Sequence, residues 1–167
     1  MCLPEFKYHP NAYKINIFTP EQGICSVCNK LRELKYDCSF YSIEKPDYIC
    51  PWCIADGSAA QKYNGQFNDY LGIQDLPDDK LEEILLRTPG YVGWQQEVWL
   101  AHCNEPCAFI DYVGSEEIEP YFDEIKDDIE CYPEDLIKSS LSKNGSLVGY
   151  LFECVKCGKK RLHIDSD

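Results

Sequence analysis

Eight of the eleven cysteines fall into four close pairs, and closely spaced thiols are typical ligands of tetrahedral metal sites. Two residues between thiols let one tight turn point both sulfurs at a common centre, and two such turns complete the four-thiolate shell that suits Zn²⁺. The sequence therefore predicts two structural zinc sites. The expected ligands of the first are Cys25, Cys28, Cys50 and Cys53, and those of the second are Cys103, Cys107, Cys154 and Cys157.

The two predicted sites differ in their spacing. The first pairs read C-x2-C, twenty-one residues, C-x2-C, which is close to the spacing of known zinc sites. In the second set three residues separate Cys103 from Cys107, and forty-six more precede Cys154. His102 adjoins Cys103 and could replace a thiolate, but we expect it to be an aromatic side chain that fills the end of a helix. Four cysteines close each shell, which favours structural over catalytic zinc.

A C-x-x-C pair can also be a redox dithiol, and Cys50-Pro-Trp-Cys53 at a helix start resembles such an active site. A redox motif acts alone, whereas this chain has a second pair at zinc-site spacing and lacks a clear parallel βαβ frame. The pattern therefore favours zinc over redox chemistry. A redox or zinc-dependent enzyme remains the alternative.

The negative charge is concentrated in two segments. The net charge is −13, with ten acids against one base in residues 116–135 and five acids against Lys80 in residues 75–83. Such surfaces repel nucleic acid phosphates and attract basic proteins. We therefore expect no direct nucleic acid binding and a basic protein partner. The predicted partner-binding residues are Glu116, Glu117, Glu119, Asp123, Glu124, Asp127, Asp128 and Glu130, with Asp78, Asp79, Glu82 and Glu83.

The first half of the chain, residues 1–70, is expected to be a β-rich zinc-finger lobe. Alternating or β-prone runs predict strands over residues 13–18, 31–36 and 39–43. Pro51 suits the first turn of a helix that would carry the second cysteine pair, and Gly57 makes that helix short or irregular. A treble-clef zinc finger has this order of elements: a knuckle, a hairpin, and a helix that supplies the last two ligands.

Residues 71–167 are expected to be a helical lobe closed by a zinc-ribbon-like hairpin, within one α+β unit. Helices are predicted from Pro77 to Thr88, from Trp94 to His102, and from Pro133 to Leu141. Apolar residues at positions 118, 122, 125 and 129 predict an amphipathic helix in the acidic segment. The final hairpin would pair residues 146–153 with 159–164 and carry the last two cysteines at its turn.

Location is predicted from what the sequence lacks. No run approaches the roughly 20 apolar residues of a membrane span. The start, MCLPEFKYHP, has neither the basic nor the apolar segment of a secretory signal. We therefore expect a cytoplasmic protein without membrane insertion, where a reducing environment keeps the thiols available to metal.

The chain resembles the CbrC family, whose bacterial members are linked to tolerance of colicin E2. The resemblance rests on FKYHP at 6–10, CSVC at 25–28, ICPWCIADGSAA at 49–60, LLRTPGY at 85–91, WQQEVWLAHCNEPCAFIDYVG at 94–114 and LFECVKCGK at 151–159. It implies three C-x-x-C motifs and brings no established catalytic residues. The family's association with a nuclease colicin and with immunity proteins points toward protection from a toxin.

The resemblance and the charge pattern lead to one functional prediction. Nuclease toxins present a basic groove to a polyanion, and an acidic protein can occlude it with electrostatically steered association. We expect a non-enzymatic, zinc-binding immunity protein that neutralises a basic toxin of the nuclease class. The alternatives are the redox or zinc-dependent enzyme, acting in an envelope or stress response, and a zinc-ribbon adaptor of another complex.

Overall fold

The computed structural model describes residues 2–167, and it mixes helices and strands as the sequence predicts. None of the helices in this part of the chain is long and apolar enough to cross a membrane. The strands are β1 (Phe18–Ile24), β2 (Leu31–Tyr36), β3 (Ala101–His102), β4 (Glu105–Val113), β5 (Leu147–Cys154) and β6 (Lys160–Ser166). The helices are α1 (Pro51–Ala55), α2 (Ser58–Tyr63), α3 (Asp78–Arg87), α4 (Ser115–Ile118) and α5 (Glu134–Ser140).

The N-terminal half is built on an antiparallel hairpin of β1 and β2, packed against α1 and α2. The predicted strand over residues 13–18 is wrong for its first five residues, which form turns. Asn16 there has a φ of 60°, in the left-handed region that a strand does not use. Residues 39–43 contribute only an isolated bridge at Tyr41. The short helix at Pro51 is confirmed, and Gly57 ends it with a φ of 75° before α2 begins.

The C-terminal half has a four-stranded antiparallel sheet in the order β3-β4-β5-β6, rather than a bundle of helices. One face packs large aromatic side chains, among them Trp99, Phe109 and Phe152. The helix predicted from Trp94 to His102 is wrong: this segment is irregular and then enters β3. The Trp99 indole N–H donates to the carbonyl of Cys107 at 2.8 Å, which holds the segment against β4 in an extended path.

The acidic segment is the second correction. The apolar residues Ile118, Ile125 and Ile129 are buried as their spacing predicts, but they lie on no continuous helix. The chain forms α4, then 3₁₀ turns at Glu119–Tyr121 and Lys126–Asp128. Pro120 has no N–H to extend α4 in the α-helical pattern, and closely spaced like charges repel along a helix face. Helix α3, helix α5 and the β5–β6 hairpin are found close to where they are predicted.

Candidate metal centres

The first metal centre joins the β1–β2 turn to the start of α1. Cys25 and Cys28 lie in the turn, where the N–H of Asn29 donates to the carbonyl of Cys25 at 2.9 Å and Asn29 adopts a φ of 56°. Cys50 is the N-cap of α1 and Cys53 lies in its first turn. The helix therefore supplies the last two ligands as predicted, while the knuckle lies at the tip of the hairpin rather than before it.

The four sulfurs of the first centre converge to the size of a tetrahedral metal shell. They lie within 4.8 Å of one another, and the closest pairs are 3.5, 3.8 and 4.0 Å apart. A tetrahedron with metal–sulfur bonds of about 2.3 Å has sulfur–sulfur edges of about 3.8 Å. Cys25, Cys50 and Cys53 are buried and Cys28 is half-buried. This cluster could hold one metal ion with little access to solvent.

Electrostatics in the first centre favour one thiolate among protonated neighbours. Hydrogen bonds from Cys50 and Cys53 hold the pKa of Cys25 well below its usual range, aided by the N–H groups of Cys28 and Val27 and opposed by burial. The same contact with Cys25 raises the pKa of Cys50 to about 11 and raises that of Cys53 as well. A metal ion is the agent that can convert all four to thiolates, since binding releases their protons.

The second centre joins two hairpin turns at one end of the four-stranded sheet. Cys154 and Cys157 lie in the β5–β6 turn, where the N–H of Gly158 donates to the carbonyl of Cys154 at 2.8 Å and Gly158 has a φ of 78°. This repeats the knuckle of the first centre. His102 and Cys103 come from the β3–β4 turn, in which Cys103 and Asn104 have φ values of 57° and 55°, as a two-residue type I′ turn requires.

Four ligand atoms converge in the second centre as they do in the first. The Nδ1 atom of His102 lies 3.2 Å from the sulfur of Cys103 and 3.3 Å from that of Cys157, and these two sulfurs are 3.8 Å apart. With Cys154 the group fits within 4.8 Å and could hold one metal ion. Burial raises the pKa of Cys154, but contacts from Cys157, His102 and the Lys156 N–H lower it more, to about 6.

Cys107 is not part of the second centre, so the predicted ligand set is corrected to His102, Cys103, Cys154 and Cys157. Cys103 lies in the β3–β4 turn, whereas Cys107 lies beyond that turn, in strand β4. Cys107 instead lies in the core opposite Cys154 on the neighbouring strand, and burial raises the pKa of its thiol to about 12. The interpretation of His102 as a side chain that fills a helix end is also wrong, because the predicted helix does not form.

A local signal for His102 exists in the sequence. His-Cys-Asn-Glu places Cys-Asn between two potential strand residues, and asparagine tolerates the left-handed conformation of a tight hairpin. Cys103 adopts the same conformation without being glycine or asparagine, at an energetic cost that the surroundings must offset. That strain and the convergence of four ligand atoms mark the turn as a binding feature rather than a simple connection.

The predicted acidic surface is largely exposed but not uniformly available. Glu117 accepts a hydrogen bond from the N–H of Gly114 at 2.8 Å, and Glu124 accepts one from that of Lys160 at 2.8 Å. Asp128 forms a forked pair with the guanidinium of Arg161, at 2.7 to 3.0 Å, and its side chain is only 10% exposed. Glu124 and Asp128 hold the segment against β6, so Asp128 has a structural contact in addition to its predicted binding role.

The remaining acids of this segment have no such engagement. Within residues 2–167, no hydrogen bond or ion pair engages the side chains of Glu116, Glu119, Asp123, Asp127 and Glu130, all of which are exposed. In the α3 region, Asp78, Asp79 and Glu82 are exposed, and Glu83 pairs with Arg87 at 3.8 Å. No hydrogen bond or ion pair within the described residues joins the two acidic segments. The five unengaged acids leave their segment with a group of exposed negative charges.

Comparison with known proteins places the chain among bacterial relatives. A family model described as an uncharacterised protein family, UPF0167, matches residues 3–166. UPF0167 proteins of Mycobacterium bovis and Mycobacterium tuberculosis are each 37% identical over 174 residues, which cover 98% of this chain and 93% of the relative. A UPF0167 protein of Pseudomonas aeruginosa is 35% identical over 175 residues, 98% of this chain and 97% of the relative. No solved structure matches the chain.

Proposed function

The chain belongs to the UPF0167 family, and we propose that it is a non-enzymatic zinc protein that binds and neutralises a basic protein toxin through its acidic segment. The observation that carries the proposal is the set of five exposed acids that form no ion pair within residues 2–167, on a segment that Glu124 and Asp128 fasten to β6. A surface with charges of one sign that is already held in place loses little conformational entropy on binding.

Zinc is the metal that best suits both donor sets. Thiolate and imidazole ligands in closed tetrahedral groups of four are typical of structural zinc. With Zn²⁺ the first centre carries a formal charge of about −2 (+2 − 4) and the second about −1 (+2 − 3). Each shell is then complete, with no open position for a reacting water. We infer treble-clef-like and ribbon-like fingers from these arrangements, with both ions acting as scaffold.

The resemblance to the CbrC family supplies the partner's class in this proposal. The link of that family to tolerance of a nuclease colicin suggests a partner toxin whose substrate groove is basic. The acidic segment is complementary to such a groove, and complementary fields accelerate association and make it sensitive to salt. We propose a cytoplasmic immunity protein whose partner is the basic product of an adjacent gene.

The test is a charge reversal at acids that carry no structural contact. A variant with Glu116, Glu119, Asp123 and Asp127 changed to lysine is compared with one carrying the same change at Glu5, Glu33, Glu44 and Asp47, which are exposed elsewhere. We expect the first variant to bind the basic neighbouring gene product at least about 100-fold more weakly, and the control to lose less than about tenfold.

Binding is measured by calorimetry at low and physiological salt, with thermal unfolding to show that both variants fold. Equal losses in the two variants would mean that net charge alone matters, and unchanged affinity and protection in the first variant would refute the acidic-segment model. Metal analysis separates the redox alternative: about two zinc ions per chain, with Cys50 and Cys53 unreactive, supports a scaffold.

A further inference from the structure

A groove lies away from both metal centres, next to the start of the acidic segment. It encloses about 560 Å³. Its walls include the rings of Trp94, Tyr112 and Tyr150, the turn at Asn16 and the loop that begins at Lys143. The volume is in the range of ligand sites, which are concave and lined by aromatic side chains with a few polar groups.

One wall of the groove is fastened in place while its apolar side chains stay exposed. The N–H of Val92 donates to the hydroxyl of Tyr112 at 2.8 Å, and the N–H of Gln95 donates to Asp165 at 2.9 Å. Between these anchors Val92 is 57% and Trp94 55% exposed. An exposed tryptophan on a segment held by hydrogen bonds is typical of a preorganised contact site.

Two buried carboxylates, Glu97 and Asp165, lie next to this wall. Glu97 is 4% and Asp165 8% exposed. Glu97 accepts a hydrogen bond from the hydroxyl of Tyr41 at 2.5 Å, and Asp165 accepts the backbone N–H groups of Gln95 and Ser166. Neither forms an ion pair within residues 2–167. Buried carboxylates are almost always paired with a cation, because burying an unpaired charge is energetically unfavourable. Two buried carboxylates without an ion pair in one place are therefore unusual.

The field of these carboxylates reaches the groove. Asp165 Oδ2 lies 3.8 Å from the point where a Cβ would stand on Gly93, which lines the groove. Burial raises the pKa of Tyr150 to about 12, and Asp165 and Glu97 both add to that rise. His163 is stacked on Tyr150, and burial lowers its pKa although Asp165 acts to raise it.

Lys143, the one charged residue that lines the groove, does not reverse this field. Its Nζ atom lies 3.4 Å from Asp111 and 3.3 Å from Glu117, so the three groups together carry a single negative charge. The groove therefore combines aromatic faces, which attract cations through their ring quadrupoles, with an excess of buried negative charge.

We propose that the groove receives the guanidinium group of an arginine from the basic partner, with its plane against Trp94 and its charge facing the side of Asp165. Arginine fits better than lysine because its planar group stacks on aromatic rings and is weakly hydrated. The proposal rests on the proposed function and adds a second contact beside the acidic segment.

The test uses blocked Gly-Arg-Gly as the probe and Gly-citrulline-Gly as an uncharged control of nearly the same shape. Binding is followed by ¹H–¹⁵N NMR at the Trp94 indole. We expect shifts at Trp94 with the arginine peptide, at least about tenfold weaker binding of the citrulline peptide, and a loss of about fivefold or more in Trp94→Ala. Tyr70→Ala, which removes another exposed aromatic side chain outside the groove, should change nothing.

The outcomes separate the groove from the proposed function. Equal binding of the two peptides, or shifts that spare Trp94 and follow the acidic segment, would overturn the groove site and leave the acidic-segment model standing. Binding of the arginine peptide at Trp94 together with unimpaired toxin binding by the acidic-segment variant would support the groove and refute the acidic model. The peptide comparison on the wild-type chain needs no variant to fold.

Discussion

Replacing His102 should weaken metal binding at the second centre, because its Nδ1 atom lies 3.2 and 3.3 Å from two sulfurs of that centre. Structural zinc sites bind with roughly 10–16 kcal/mol, so losing one of four ligands should cost about 3–4 kcal/mol. That corresponds to about 10²- to 10³-fold weaker binding at this centre. Competition with a chromophoric chelator should show one tight and one weakened site in His102→Ala, against two tight sites in the wild type.

Two further variants make this prediction specific. Cys107→Ala should keep both metal ions, because Cys107 lies in the core and outside the ligand cluster. His102→Cys should restore tight binding, since a fourth thiolate completes the shell. Retention of two tight sites in His102→Ala, combined with loss of one in Cys107→Ala, would refute the ligand assignment.

The two centres should also differ in lability. Because Cys103 and Cys157 are exposed while three ligands of the first centre are buried, limiting chelator should remove the second metal first, and alkylation followed by mass spectrometry should label these two thiols before the other ligand cysteines. Equal rates at both centres would contradict this. Asp128→Asn should lower the free energy of unfolding by about 3 kcal/mol, because it breaks a mostly buried pair with Arg161, while affinity for a basic partner changes little; chemical denaturation and calorimetry test the two parts. A drop in affinity without a loss of stability would instead indicate that Asp128 contacts the partner.

The first centre could be predicted from the sequence because the geometry of each of its two cysteine pairs is local. Each cysteine pair lies within a single turn, at Cys25–Asn29 and at the start of α1, so the spacing alone aims the sulfurs. Pro51 fixes the helix start and Gly57 its end, and both effects act within a few residues. The same holds for the β5–β6 hairpin, whose turn is the knuckle of the last cysteine pair.

The second centre could only be half predicted because its ligands meet through a long-range strand pairing. His102 enters the cluster because the tight β3–β4 turn brings it beside Cys103 and Cys157. Cys107 is opposite Cys154 on the neighbouring strand but stays outside the cluster of four ligand atoms. Neither arrangement follows from the spacing of the cysteines. Helical spacing between Trp94 and His102 suggested a helix, but the indole bond of Trp99 to β4 and the strand entry at Ala101 prevail.

The acidic segment shows why burial was easier to predict than secondary structure. A segment of successive tight turns can bury residues spaced three and four apart, as a helix does. Here Ile118, Ile125 and Ile129 are buried on such a series of short turns. A continuous helix would have needed balanced charges to stabilise its exposed face. The segment is fastened instead by contacts to the sheet, among them the pair of Asp128 with Arg161, and charge reversal at its unengaged acids should therefore change partner binding without unfolding it.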